Sequence, residues 1–343
     1  MSVSYGGDSI TFADGSVQSG GWNGFRNRII NGAMVIDQRN AGAAVTTNGA
    51  FPVDRFVINQ NNDGAFSAQQ VSEAPSGFSY STKITTTTAD ASLATTQNLT
   101  YITRIEGFNT ADFAFGTAAA ATVTLSFWVR SSLTGTFGGS LLNSAQDRSY
   151  PFSYTINQAN TWEKETITIP GDTTGTWLTT NGIGIRVNFG LGAGTDRSGT
   201  AGAWNSNLNL SATGAVSVIG TLNATWQITG VQLERGSTAS SFEYRPYTTE
   251  LQLCQRYFIT DLFAWVGGGA TPTATNRNFA ATTTFPVTMR STPVISKTGT
   301  ETLTNMNAGS FDFTTATRTR YIATNSVSND AYAYTTFSAA IEL

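Results

Sequence analysis

The chain has 343 residues, which is more than one hydrophobic core usually spans, so more than one domain is expected. Charged residues make up 12% of the sequence, about half the usual share for globular proteins, and the formal net charge is −3. No basic block exists, and binding to nucleic acid needs clustered Lys or Arg, so the composition argues against a nucleic-acid partner. The lack of histidine excludes His-based catalytic triads and His metal sites.

Residues 1–25 are rich in Gly and Ser and contain one strand-like run, Ser9 to Phe12, before a turn signal. A segment this short cannot form a core, so we expect an arm that packs on another chain or moves freely. Trp22 is its expected anchor. The segment has no basic n-region and no apolar stretch, so neither a signal peptide nor a membrane span is predicted.

Residues 26–247 are predicted to form an antiparallel β-sandwich, and the fold class of the whole chain is all-β. Short alternating segments follow one another, and no amphipathic helix separates them. Eight strands are expected, which is the number in a jelly roll. The eight segments are NRIINGAMVIDQR, FPVDRFVINQ, YSTKITTTT, NLTYITRIEG, ATVTLSFWVRSS, TWEKETITIP, GIGIRVNFGLG and TWQITGVQLE.

The segment 191–225 is predicted to be a loop, since it has few bulky residues and many Gly, Ser and Asn. A loop of this length inside a compact domain is usually functional, or it is covered by a neighbouring chain.

Residues 248–258 form a predicted helical hinge, because Leu251, Cys254 and Phe258 lie at i, i+3 and i+7. Cys254 is the only cysteine, so no intrachain disulfide is expected, and we interpret it as a small buried hydrophobe. Residues 259–343 form a second, smaller β module with a thin core. The residues expected at the interface or hinge are Arg245, Arg256, Tyr257 and Phe258, with Phe263 and Trp265 nearby in an interface or inter-domain core.

The phrase QLERGSTASSFEYRPYTTELQLCQRYF resembles one that recurs in tail-fibre and related virion proteins of bacteriophages. There it ends a jelly roll similar to carbohydrate-binding modules. The earlier phrases NRIINGAMVIDQRN, AFPVDRF, RIEG, TVTLSFWVR and TWEKETITIP follow the same order. Near the two ends, ITFADGSVQSGG and FPVTMRSTP resemble an attachment segment and a C-terminal fibre module.

The resemblance implies a non-enzymatic virion structural protein, a homotrimeric tail fibre that recognises host-surface polysaccharide. Its N-terminal arm would attach to other phage tail or virion proteins. It would be made in the host cytoplasm without a signal peptide and then reside in the virion, with no membrane insertion. Two alternatives stay open: a polysaccharide-depolymerising tailspike, and a purely structural connector or capsid decoration protein.

Sugar recognition uses exposed aromatic faces beside polar side chains, so the seven Trp residues are candidate ligand contacts. Trp128, Trp162 and Trp226 lie in strand sequence and are expected to pack in the core. Trp177 and Trp204 lie in polar loop sequence and are therefore the predicted ligand-binding residues. Packing of these two against a neighbouring chain is the alternative interpretation.

No catalytic residue, cofactor or metal site is predicted. Glycoside hydrolysis needs only an Asp/Glu pair, but the carboxylates form no motif. Asp54 and Glu106 are better explained as structural ion-pair or turn residues. A structural calcium ion is compatible with a sandwich of this kind, although no D-x-D-x-D spacing points to a site. The carboxylates considered are Asp37, Asp54, Glu73, Glu106, Asp112, Asp147, Asp172 and Asp196.

Overall fold

The computed structural model describes residues 25–268, 276–327 and 330–343, together with the backbone of three short strands before them. These strands, β1 (Ser4–Gly6), β2 (Ser9–Thr11) and β3 (Val17–Ser19), form an antiparallel sheet in that order. Apart from Phe25, the rest of the predicted N-terminal arm, including Trp22, lies outside the described residues.

Two five-stranded antiparallel sheets form a jelly-roll sandwich, which confirms the all-β prediction. Sheet A has the order β10-β9-β12-β7-β4, and sheet B has the order β11-β8-β15-β6-β5. The strands are β4 (Phe56–Gln60), β5 (Ala65–Val71), β6 (Ser81–Thr88), β7 (Asn98–Glu106), β8 (Val123–Ser131), β9 (Gly135–Leu142), β10 (Ser149–Ile156), β11 (Glu163–Ile169), β12 (Ile183–Ala193) and β15 (Thr225–Arg235). Short 3₁₀ turns occupy Gly107–Asn109, Ala111–Phe113 and Thr195–Arg197.

Alternation along the strands builds one core between the sheets. Phe127 of β8, Phe189 of β12 and Trp226 of β15 are each 0% exposed. The Phe127 and Phe189 rings meet edge to face at 5.1 Å, and the Trp226 indole lies 5.7 Å from Phe189. Burial of such aromatic faces is the main source of stability in a sandwich.

The sandwich has ten long strands instead of the predicted eight, because β5, β9 and β10 are present and the first predicted strand is not. Sequence reasoning missed β9 and β10 for a physical reason. The first is glycine-rich, and the second contains Pro151, which usually marks a loop. Here β10 is an edge strand of sheet A, where a proline is tolerated.

The predicted strand NRIINGAMVIDQR is wrong: this segment is a series of turns in which Asn31 and Met34 have positive φ. Asn31 is fully buried. Its side-chain NH₂ group donates to the carbonyl oxygens of Ile36 and Asp54, and its side-chain oxygen accepts from the backbone N–H of Ile36. Local side-chain bonds of this kind replace ladder bonds and favour turns. The alternating apolar residues therefore reach the core from a turn.

The predicted loop 191–225 is mostly irregular, but it contains β13 (Ser198–Gly199) and β14 (Ser211–Ala212), which pair in parallel. The segment lies across the outer face of sheet A. A Cβ at Gly138 or Gly190 would come within 2.4 or 2.5 Å of the Ser211 hydroxyl oxygen, so glycine permits this close approach. Neighbouring strands of sheet A are thus covered by the chain itself.

The single α-helix of the described residues, α1 (Tyr247–Gln255), lies where the helical hinge is predicted. Cys254 is fully buried beside Ile30, Ile36 and Tyr257, as expected for a small hydrophobe. Burial raises the pKa of its thiol well above the usual value. The helix is therefore packed against the beginning of the sandwich.

The C-terminal module is a second small sandwich with its own core, centred on Tyr321 and Phe337. One sheet has the order β16-β22-β18, with β19 also on β22, and the other has the order β17-β21-β20. The strands are β16 (Phe258–Gly268), β17 (Asn278–Thr284), β18 (Val294–Lys297), β19 (Thr302–Thr304), β20 (Ser310–Asp312), β21 (Arg318–Thr324) and β22 (Ala331–Ala340).

Candidate functional site

Four aromatic side chains meet at one end of the sandwich, where loops join β9 to β10 and β11 to β12. We call this group the aromatic corner; it consists of Phe115, Tyr150, Trp177 and Trp204. The two indole rings are nearly perpendicular, at 83°, and their centroids are 5.4 Å apart. Phe115 meets both edge to face, at 4.9 Å from Trp177 and 5.8 Å from Trp204. The structure therefore brings together the two tryptophans that the sequence singles out.

Both indoles are partly exposed and are held in place by their own N–H groups. Trp177 donates to the carbonyl oxygen of Thr174 at 3.1 Å, and Trp204 donates to that of Pro170 at 2.7 Å. Their inner faces pack against the sandwich core. The exposed parts of the two indole rings are the surface left for a ligand. Their positions are fixed before binding, which lowers the entropic cost of binding.

An ion pair braces the loop beneath Trp177. Arg148 donates from Nε and Nη2 to the two carboxylate oxygens of Asp172, at 2.7 and 2.8 Å. Asp172 also accepts bonds from the backbone and hydroxyl of Thr174. Burial acts to raise the pKa of Asp172, but the bonds from Arg148 and Thr174 outweigh it and hold this pKa below its usual value.

Polar side chains with planar groups lie next to the aromatic corner. Asn205 follows Trp204 and is bonded to Ser149 of β10 through its side chain and its backbone. Asn143 donates to Asp147 at 2.6 Å and to the carbonyl oxygen of Thr176 at 3.1 Å. Polar side chains therefore lie in the loops next to the two indoles, and of Asn143, Asp147 and Asn205, Asp147 is the one that is exposed.

Two arginines lie side by side on the outer face of sheet A, close to the same end. Arg186 of β12 is directly opposite Arg104 of β7, and Leu142 of β9 is the next residue in this row. Burial and the charge of Arg104 lower the pKa of Arg186 to about 10. Arg186 also donates to the carbonyl oxygen of Ser144 in the loop before Arg148, at 3.5 Å. We call these two residues the arginine pair.

The predicted junction residues divide into two groups. Arg256 and Tyr257 both bind Glu106 at the end of β7, and the guanidinium of Arg39 lies 3.7 Å from the ring centroid of Phe258. These contacts join the C-terminal module to the sandwich. Arg245 instead bonds the carbonyl oxygens of Asn27 and Ile29, at the beginning of the sandwich.

The last residues of the second module also return to the sandwich. Glu342 forms ion pairs with Arg39, at 2.6 Å, and with the buried Arg55. The guanidinium of Arg55 lies 3.5 Å from the ring centroid of Tyr257, so the same arginine contacts both ends of the module. Partners separated by hundreds of residues carry no local sequence signal.

Trp265 and Phe263 are half exposed, at 51% and 54%, so the expectation of an inter-domain core is wrong for them. They lie on the outer face of β16, beside Tyr332 and Tyr334 of β22. Trp128 is also outside the core: it is half-buried on the outer face of sheet B, against Gly230. Trp226 is in the core, as predicted.

The carboxylates considered for catalysis are mostly engaged in structural contacts. Asp54 pairs with Arg39 at 3.0 Å, in agreement with its structural interpretation. Glu106, expected in a turn role, lies at the end of β7 and pairs with Arg256 at 2.6 Å. Burial raises the pKa of Asp54 to about 6. In the described ranges, no group of three or more Cys, Asp or Glu side chains is placed to hold a metal ion. Nor does any helix described there have the length and apolarity to cross a membrane.

One carboxylate pair was not considered from the sequence. Glu163 and Glu165 project from the same side of the edge strand β11, and burial, followed by the charge of Glu163, raises the pKa of Glu165 to about 7. Inward-pointing charges on an edge strand protect a sandwich from pairing with other chains. This protective role accounts for the pair without catalysis.

Comparison with known proteins gives similarities of fold only. No protein-family model and no curated protein matches the sequence. A CBM4 structure is similar at 15% identity and a TM-score of 0.29, over 60% of this chain and 98% of that chain. A family 11 carbohydrate-binding module from Clostridium thermocellum matches at 11% identity and a TM-score of 0.28, over 60% and 100%.

A bacteriophage structure is also similar. The enzymatically active domain of tailspike protein 4 from bacteriophage CBA120 matches at 13% identity and a TM-score of 0.30, over 62% of this chain and 22% of that chain. At these identities and TM-scores, the similarities do not indicate what this chain binds. The functional inference therefore rests on the residues themselves.

Proposed function

We propose that this chain is a non-enzymatic, glycan-binding structural protein of a bacteriophage tail fibre, and that it contacts host-surface polysaccharide through the aromatic corner. The observation that carries the proposal is the perpendicular pair of partly exposed indoles, Trp177 and Trp204. Sugars present C–H faces that stack on aromatic rings and hydroxyls that need polar partners. Both kinds of surface occur together here.

The arrangement favours binding because it is already ordered. Each indole N–H is bonded to the backbone, and Asp172 with Arg148 braces the loop. Little conformational entropy is then lost when a ligand settles on the rings. An edge-to-face corner also offers two ring surfaces to one sugar, which favours a particular orientation.

The test is binding of the whole chain to a glycan array that includes host-surface polysaccharides. We expect Trp204→Ala and Trp177→Ala each to weaken binding by about 1–3 kcal/mol, by analogy with the loss when an aromatic side chain that stacks on a nucleobase is removed. Trp128→Ala is the matched control, since Trp128 is a half-buried tryptophan on the outer face of sheet B and makes no contact with the aromatic corner. It should bind as the unaltered chain does.

An array without a bound glycan would contradict the proposal and favour the structural connector or capsid decoration protein. Shortened chains after incubation with the polysaccharide would instead favour the depolymerase. In that case Glu165→Gln should abolish the shortening, because Glu165 lies beside Glu163 on β11 and its raised pKa, about 7, suits a general acid.

We further propose that the protein acts as a homotrimer within the virion and attaches through residues 1–25 to other tail proteins. The exposed aromatic face of the C-terminal module, around Trp265, supports association, since exposed patches of this kind mark interaction surfaces. Measurement of mass in solution checks the trimer. A stable monomer at micromolar concentration would contradict it.

A further inference from the structure

The arginine pair on sheet A is an unusual arrangement of charge. Arg186 and Arg104 are directly opposite each other in the antiparallel register, so two like charges project from the same face of the sheet. Like charges in this position destabilise a sheet. Something with negative charge is needed to offset the repulsion.

The described residues supply little of that charge. Neither arginine forms an ion pair with an Asp or Glu side chain of the described residues, whereas the partly buried Arg148 and Arg256 each do. Among charged groups, Glu342 acts on Arg104 from a distance, but its own ion pairs are with Arg39 and Arg55.

The pair also has unused hydrogen-bond donors. The Nε atoms of Arg104 and Arg186 are buried and have no acceptor. Arg104 donates from Nη1 to the carbonyl oxygen of Leu343, and Arg186 donates from Nη2 to Ser144 at 3.5 Å, which is at the limit of a hydrogen bond. Each such donor costs free energy. The Nε atoms of Arg28, Arg55 and Arg245 are in the same state, but those three guanidiniums form ion pairs, which the arginine pair does not do with any described Asp or Glu.

The position of the pair connects it to the aromatic corner. In sheet A, Arg186 is opposite Leu142, which in turn is opposite Ser149, and Ser149 is bonded to Asn205 next to Trp204. Three strand spacings, about 14 Å, therefore separate Arg186 from Asn205 in the segment that carries Trp204. An extended glycan on the corner can reach the pair.

We propose that Arg104 and Arg186 bind the carboxylate of an acidic sugar residue, so that the glycan recognised here is an acidic polysaccharide. Planar guanidinium groups match the two oxygens of a carboxylate, and two of them together would neutralise its charge. The proposal rests on the proposed glycan-binding function, because the aromatic corner would hold the neighbouring sugars.

The test measures the melting temperature of the whole chain in the presence of sodium glucuronate. Sodium chloride at the same ionic strength and glucose at the same concentration are the two reference conditions. Glucuronate should raise the melting temperature more than chloride does, and glucose should not. Arg186→Gln should weaken the apparent affinity for glucuronate about 10-fold or more. Arg130→Gln, on sheet B, is the matched control and should keep the full response.

The melting temperature without ligand gives a second result. Arg186→Gln removes one of two opposed charges, so it should melt at the same temperature as the unaltered chain or higher. A lower melting temperature, or equal effects of glucuronate and chloride, would overturn the proposal and show that the chain satisfies the pair itself, as through Leu343. Loss of array binding in Trp204→Ala with the glucuronate response intact separates the corner from the arginine pair. A glucuronate response without any array binding would contradict the proposed glycan binding at the aromatic corner and leave carboxylate binding at the arginine pair supported.

Discussion

Glu106→Ala is expected to lower the free energy of unfolding by about 3 kcal/mol, near the lower end for breaking a buried ion pair. Glu106 is 1% exposed and accepts bonds from Arg256 at 2.6 and 2.8 Å and from the Tyr257 hydroxyl at 2.7 Å. Its removal leaves the buried Tyr257 hydroxyl and the partly exposed Arg256 guanidinium without this acceptor, at the contact between the modules. Denaturant unfolding followed by circular dichroism measures the change.

Asp312→Ala is the matched control for this experiment. Asp312 and Arg320 form an ion pair of the same bidentate geometry, at 2.6 and 2.7 Å, but both side chains are 35% exposed. Exposed pairs contribute little because water screens their charges, so a much smaller loss is expected here than at Glu106. If both variants lose the same free energy, burial does not set the value of the Glu106 contact, and our account of the junction fails.

Trp226→Ala is expected to lower the free energy of unfolding by about 3–5 kcal/mol, as for other large aromatic residues removed from a core. The indole is fully buried between the sheets, and its N–H donates to the Tyr154 hydroxyl at 3.1 Å. Because domains are stable by about 5–15 kcal/mol, this variant is close to the limit of folding.

Trp226→Phe keeps the variant measurable. It retains an aromatic ring but loses the bond to Tyr154, so a smaller loss of about 1–3 kcal/mol is expected. Trp128→Ala, on the outer face of sheet B, should lose less than Trp226→Ala does. Equal losses at the two tryptophans would mean that the packing between the sheets is not the main support of the sandwich.

The sequence predicts local features well, because alternation and turn chemistry are local properties. It places Trp226 in the core, Trp177 and Trp204 in loops, and a helix close to residues 247–255. It fails for Trp128, although Leu125, Phe127 and Val129 face inward and so leave Trp128 outside. It also fails for β10, where Pro151 is tolerated only because the strand is at an edge.

Long-range partners cannot be predicted from this single sequence. Glu106 and Arg256 are 150 residues apart, and no pattern around either residue identifies the other. The arginine pair has the same origin: Arg104 and Arg186 become neighbours only when β7 and β12 pair. Sequence reasoning therefore identifies the aromatic residues of the candidate site but not the two arginines near them.

The position of β15 in the middle of sheet B constrains the order of assembly during synthesis. β15 pairs with β8 on one side and with β6 on the other, yet it is the last strand of the sandwich to leave the ribosome. Until then, β6 and β8 each present an unpaired edge to other nascent chains. The segment Thr225–Arg235 therefore completes the sheet by inserting between β6 and β8. If synthesis stops before this segment, the chain is left as an aggregation-prone intermediate with two unpaired strand edges.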